Sequence, residues 1–203
     1  MADTKERILL TALRLFAKDG YEAVSVSDIA GALGITKAAL YRHYRNKRDI
    51  FDSILARMEQ SDAEQAGEHG LPEGTAAEME GAYRTASAEQ ILAFSRAMFR
   101  YWTGNEFAAQ FRRMLTLEQF RSGEMSGLYQ QYLVSGPVGY LTDLFAAMEL
   151  PQPHERAAEF YAPMFLLYSV CDAAEDKEDV LSLLDRLLER ATIHLKGEKE
   201  HEP

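Results

Sequence analysis

The chain has 203 residues, of which 47% are hydrophobic and 27% charged, and a formal net charge of -10 at pH 7. That length allows one large domain or two small ones and a core that needs no disulfide or metal. The single cysteine, Cys171, excludes an intrachain disulfide and fits a reducing compartment, and no apolar run approaches the roughly 18 residues of a membrane span.

The opening residues MADTKERILL turn amphipathic at once and contain no apolar signal core, so a soluble, cytoplasmic protein is expected. Cys171 stands among Leu167, Tyr168 and Val170 and is expected to be a small buried hydrophobe. The five histidines are scattered without metal-ligand spacing, and neither a metal nor another cofactor is expected. Charge is unevenly spread: residues 1–60 carry a net +2 and the remainder -12. This asymmetry predicts a head that meets an anion and a body that does not.

Helical periodicity dominates and strand-like alternation is nearly absent. A first helix is predicted from about Thr4 to Asp19, with Ile8, Leu9, Ala12, Leu13 and Phe16 on its apolar face. Asp3 and Glu6 form a candidate capping pair at its start, and Gly20 suits its stop. In VSVSDIAGALGI, Ser25 and Asp28 resemble an acidic capping box, with Val24 and Ile29 at the positions of a hydrophobic staple. A short helix should run from Val26 to Leu33 and end at Gly34 in a left-handed conformation. Thr36 can cap a second short helix from Lys37 to about Tyr44. Asn46 begins a longer helix to about Gln65, with Asp49 reaching back and Ile50, Ile54, Leu55 and Met58 as its stripe.

Residues 67–86 read as an irregular linker, partly helical around 76–83. Ser87 opens a helix through Ile91, Phe94, Met98 and Trp102; Gly104 and Asn105 punctuate it, and another helix covers about 106–121. One helix from Met125 to Met148 should be kinked at Gly136-Pro137. Two last helices are predicted, at about 154–173 with Pro163 inside and 177–196, followed by a disordered tail. The fold class is therefore all-α, with about nine helices.

The chemistry concentrates in TKAALYRHYRNKR, residues 36–48, which holds Lys37, Arg42, Arg45, Lys47 and Arg48 and no acid. A short helix, a glycine turn and a second short helix make a helix-turn-helix, whose second helix enters the DNA major groove. Ile29, Leu33, Ile35 and Leu40 are spaced for a small shared core, and Ala30 is small where the helices cross. Lys37, Ala38, Tyr41 and Arg42 are left facing outward. Lys37 and Arg42 can reach guanine edges or phosphates, Ala38 and Ala39 allow close approach, and Tyr41 and His43 can donate to phosphates. Lys47 lies beside the amino end of the Asn46 helix, where a phosphate would be welcome.

ALRLFAKDGYEAVSVSDIAGALGITKAALYRHYRNKRDIFDSIL, Ala12 to Leu55, resembles the DNA-binding head of the tetracycline-repressor family of bacterial transcriptional regulators. The resemblance implies DNA contacts from Ser25, Ser27, Thr36, Lys37, Ala38, Tyr41, Arg42, His43 and Lys47. The family often carries a larger polar side chain where this chain has Ser27, which implies fewer contacts from the first helix of the motif. It further implies a DNA-binding domain at 1–48 and a ligand-binding and dimerisation domain at 49–203, with the last two helices pairing in a homodimer. The stripe of the last helix supplies Leu184, Leu187, Leu188 and Ala191 for that interface, with Tyr161 from the helix before it.

The body is rich in aromatic and large apolar side chains. Phe94, Met98, Trp102, Phe111, Met114, Tyr129, Tyr132, Phe165 and Tyr168 are the candidate lining of a mostly apolar cavity for a small-molecule effector, itself apolar or aromatic. No nucleophile elbow, phosphate loop, dinucleotide or metal motif appears, so an enzyme is not expected. The expected function is a ligand-responsive regulator, a repressor that binds a palindromic operator on double-stranded DNA as a homodimer and that neither spans nor needs a membrane. A helical module that binds protein in place of DNA is the alternative.

Overall fold

The computed structural model describes residues 4–68 and 87–196, and the described residues are helical with no strand. The helices are α1 (Thr4–Asp19), α2 (Val26–Leu33), α3 (Lys37–Tyr41), α4 (Lys47–Glu68), α5 (Ala88–Gly104), α6 (Glu106–Glu118), α7 (Gly123–Leu133), α8 (Ser135–Ala147), α9 (Pro153–Ala173) and α10 (Lys177–Lys196). The expected all-α class is what the structure has. Asp3, the linker with its possible helix at 76–83, and the terminal tail lie outside the described residues. Among the described residues no helix is long and apolar enough to cross a membrane.

The chain divides into two compact units, one of residues 1–64 with 105–129 and the other of residues 65–104 with 130–203. In the first, α1 packs on α2 and α6, and α2 on α3. The five predicted apolar residues of α1 are its buried ones. Ile29 and Leu40 are fully buried between α2 and α3, and Ala30 nearly so, whereas Leu33 and Ile35 are only half-covered. α4 adds Ile50, Phe51, Ile54 and Met58, and α6 adds Phe111, Met114 and Leu115, all fully buried. Tyr21 bridges these layers, its ring 5.1 Å from that of Phe16 and 5.0 Å from that of Phe51.

The second unit holds α5, α8, α9 and α10; α9 contacts the other three, and α10 also packs on α5. Its aromatic core includes Phe99 stacked on Tyr168 at 5.2 Å and Phe145 edge-on to Phe160 at 5.9 Å. Cys171 is buried there, as expected. Arg96 of α5 fastens α10 through Asp185 at 2.6 Å and Glu189 at 2.8 Å. Burial alone would lower the Arg96 pKa, but these two carboxylates outweigh it and raise it.

Three expectations change. The face of α5 is turned from Ile91–Phe94–Met98–Trp102 to Ile91, Ser95, Phe99 and Trp102, because small Ser95 takes an inward position and Phe94 and Met98 become half-buried. The helix from Glu106 ends at Glu118, not Arg121. The single kinked helix over 125–148 is two helices, with Val134 between them at φ -129° and ψ -87°. Pro137 consequently sits in the first turn of α8, where its missing N–H would have had no intrahelical acceptor. Gly136 is required by space: a Cβ there would lie 1.8 Å from the carbonyl oxygen of Gln131.

Candidate nucleic-acid interface

The motif is built from its caps. Ser25 closes the amino end of α2 by accepting the Asp28 N–H at 3.2 Å, while Asp28 accepts the Ser25 N–H at 2.8 Å and its hydroxyl at 2.6 Å. That hydroxyl, followed by the Ser25 N–H, holds the Asp28 carboxyl below the usual carboxylate range. Gly34 stops α2 at φ +67°, and the Ile35 N–H reaches the Ala30 carbonyl at 3.0 Å. Thr36 then starts α3 by accepting the Ala39 N–H at 3.1 Å. Regular α-helix ends at Tyr41, earlier than expected, and the His43 and Tyr44 N–H groups both bond the Leu40 carbonyl. Tyr44 is buried and its hydroxyl donates to the Lys5 carbonyl at 3.2 Å, which anchors the end of the motif to α1.

On this frame Lys37, Ala38, Tyr41 and Arg42 are exposed together, with Tyr41 50% exposed, as the outward face required. Ser25, Ser27 and Thr36 are exposed as well, and Ala39 and His43 are half-covered. Among the described residues neither Lys37 nor Arg42 is held in an ion pair. Lys47 is placed differently. Its ammonium donates to the Tyr21 carbonyl at 2.7 Å and the Glu22 carbonyl at 3.4 Å, and lies 4.2 Å from the Tyr21 ring centroid. Arg48 is also engaged, with Asp52 at 2.6 Å and in a two-pronged pair with Glu124 of α7 at 2.6 and 2.9 Å. The Glu124 carboxyl is held low by that guanidinium.

One support of the interface was not singled out in the sequence, and the expected Asn46–Asp49 start of α4 supplies another. Glu118, 2% exposed at the end of α6, accepts the Tyr21 N–H at 3.0 Å and so holds the turn between α1 and α2. Its signal was available, since Phe111, Met114, Leu115 and Glu118 share one helical face and a glutamate there is out of place. Asp49 accepts the Arg45 N–H at 2.8 Å, and Asn46 accepts the Asp49 N–H at 2.8 Å. The Arg45 N–H is the main cause that lowers the Asp49 carboxyl.

The other expected residues are scattered. Phe111 and Met114 are buried in the core of the first unit, which also contains the half-covered Tyr129, whereas Phe94, Met98, Trp102, Tyr132, Phe165 and Tyr168 belong to the second. Within the second, Trp102 meets Tyr132 at 6.4 Å, Tyr168 stacks on Phe99, and Phe165 is exposed. Of the expected dimer residues, Leu184 and Leu188 are buried inside the chain itself, because α10 turns them toward α5 and α9. Tyr161 is buried too, its hydroxyl donating to the Leu133 carbonyl at 2.9 Å. Leu187 and Ala191 remain half-covered, and the exposed large apolar residues among the described residues of these helices are Phe165, Leu166, Val170 and Leu183.

Comparison with known proteins agrees with this geometry. The sequence profile of the tetR family of bacterial regulatory proteins matches residues 8–54. The HTH-type transcriptional regulator AcrR of Shigella flexneri is 42% identical over 52 residues, which are 26% of this chain and 24% of that one. The HTH-type transcriptional repressor BepR of Brucella suis is 41% identical over 56 residues, 28% of this chain and 27% of that one. The matched segment thus spans only about a quarter of each relative's length. A transcriptional regulator from Saccharomonospora viridis, solved in complex with choline, matches in fold with a TM-score of 0.66 and 18% identity over 93% of this chain and 97% of that one. Residues 8–54 are thus similar to the tetR family of bacterial regulatory proteins, and the helical fold of the chain is like that of the Saccharomonospora viridis regulator.

Proposed function

We propose that the protein is a DNA-binding transcriptional repressor that acts as a homodimer on a palindromic operator and is released by a small-molecule effector. The observation that carries the DNA reading is the exposed face of α3: Lys37, Ala38, Tyr41 and Arg42 stand together on a helix capped at its start and anchored by Tyr44 at its end. Ser25, Ser27, Thr36, Ala39 and His43 border that face and complete the proposed contacts. Cations and hydroxyls of this kind bind phosphates and base edges, and a rigid helix holds them in register. The functional division is a DNA-binding domain at 1–48 and an effector-binding and dimerisation domain at 49–203.

Dimerisation is supported by the outer faces of α9 and α10. Leu166 is 63% exposed, Phe165 and Val170 are exposed on the same helix, and Leu183 is exposed on α10. A second copy of the same surface would cover them. Two heads then read successive major grooves about 34–36 Å apart. The effector reading is supported by the half-buried Phe94, Met98 and Tyr132 amid the stacked rings of the second unit, and by the small molecule bound to the Saccharomonospora viridis protein. An effector acts only through a difference in its affinity for the DNA-competent and incompetent states.

The test is selection of binding sites by the purified chain from a random duplex library at near-physiological salt, where non-specific binding is weak. One enriched palindrome, lost with Tyr41→Ala, is the expected result. Failure to retain any duplex, at this salt and at lower salt, refutes the DNA reading.

A further inference from the structure

Of the five cations in residues 36–48, two are already committed to the fold. Arg48 is held by Asp52 and by both oxygens of Glu124. Lys47 has directed its ammonium inward, to two backbone carbonyls and the face of Tyr21, with the Glu22 carboxylate 4.0 Å away. An ammonium has three donors, and here they are turned to acceptors of the protein, leaving the Lys47 side chain 22% exposed. Moving it to a phosphate would strand the Tyr21 carbonyl, which is partly buried, and give up the cation–π contact.

Arg45 is the opposite case. Its backbone is pinned, because its N–H donates to Asp49 at 2.8 Å and its neighbour Tyr44 is buried and bonded to α1. Its side chain is 87% exposed and makes one long contact, 3.5 Å from Asp49. It directly precedes Asn46, the residue that caps α4, and follows Arg42 by three residues. A planar guanidinium on a fixed stem, next to an exposed basic face, suits a phosphate oxygen pair.

We propose that Arg45, and not Lys47, is the phosphate-binding cation beside the amino end of α4, and that Lys47 is a structural residue that positions the turn at Tyr21. The inference rests on the reading of the head as DNA-binding and names a contact within it. Lys37, Arg42 and Arg45 then form the cationic edge of the interface, while Lys47 and Arg48 hold the elements behind it.

The salt dependence of DNA binding tests this. Each phosphate contact contributes about 0.9 to the slope of log affinity against log salt on duplex DNA. Anisotropy titrations of a mixed-sequence duplex, at a series of salt concentrations, would be made with the full-length wild type, Arg45→Gln, Arg45→Lys and Lys47→Gln. Arg45→Gln is expected to lower the slope by about 0.9 per head with an unchanged melting temperature, and Arg45→Lys to restore the slope. Lys47→Gln is expected to lower the melting temperature and to keep the wild-type slope when measured well below it. A wild type that binds, with Arg45→Gln unchanged in slope, overturns this inference and leaves the function standing. So does a Lys47→Gln variant that is fully folded and loses the slope. A wild type with no salt-dependent binding overturns the function, and the inference with it.

Discussion

Replacing Gly20 by alanine probes the junction of the head and α6 at one atom. Gly20 has φ +87°, a left-handed conformation that strains any side chain by about 1–2 kcal/mol. The added Cβ would also stand 2.7 Å from the Glu118 Oε1, inside van der Waals contact. Glu118 must therefore withdraw, and the buried Tyr21 N–H loses its Glu118 acceptor. An unsatisfied buried donor costs about 1–3 kcal/mol. Strain and stranded donor together give about 2–5 kcal/mol, centred near 3.5, or a fall of about 7–14 °C in melting temperature for a chain of this size. Gly34→Ala is the matched control, because Gly34 has φ +67° but nothing within 4 Å of the added atom. It should show the strain alone, about 1–2 kcal/mol. Thermal and urea unfolding of both variants, with Glu118→Ala alone and combined with Gly20→Ala, make a double-mutant cycle. The combination should cost less than the sum of its parts, since removing the carboxylate removes the clash. Equal losses for Gly20→Ala and Gly34→Ala, or strict additivity in the cycle, would refute the reasoning.

Asn46→Ala removes the cap of α4 and is expected to lower stability by about 1 kcal/mol in urea unfolding, a loss that Asn46→Ser largely avoids. Asp62 has one carboxylate oxygen fully buried without a partner, and burial pushes its pKa up to about 7. The folded state therefore binds a proton that the unfolded state releases near pH 4; the penalty is absent below that and grows as pH rises toward 7. Asp62→Asn should accordingly stabilise at pH 7.5 and have little effect at pH 4, and a stability difference between variant and wild type that does not change with pH would count against it. Leu166→Glu places a charge on the exposed apolar face of α9 and should convert a dimer to a monomer in sedimentation at micromolar concentration while the far-UV spectrum is kept. A wild-type chain that is already monomeric there would refute the proposed dimer face.

The elements that could be read from the sequence are those whose cause is local. The face of α1, the Ser25–Asp28 box, the left-handed Gly34 and the Thr36 cap each depend on residues within four positions, and each stands where its side chains put it. Misplacements arise where a distant element decides. Ser95 is buried because α9 and α10 press on that side of α5, which no periodicity within α5 records. Leu184 and Leu188 carry the same apolar signal whether they face a partner or their own core, and only packing separates the two. The break at Val134 was hidden because proline fits a kink within a helix and the first turn of a new helix equally well. In the interface, the sequence marked Lys47 as a DNA contact and passed over Arg45, although both are basic residues of the same short segment. That distinction depends on the Tyr21 carbonyl, 26 residues away.

The first compact unit is not a continuous stretch of chain. Its α6 portion begins only after the 40 residues from 65 to 104, and Glu118, which holds the turn after α1, lies 97 residues from Tyr21. During synthesis at about 5–20 residues per second, α1 to α4 must therefore wait several seconds on the ribosome before α6 emerges to cover them. The apolar face that α1 reserves for α6 is open for that interval. A fragment cut after residue 64 would stay in that state permanently, so a head expressed alone should aggregate or need a chaperone, even though its helix-turn-helix is intact.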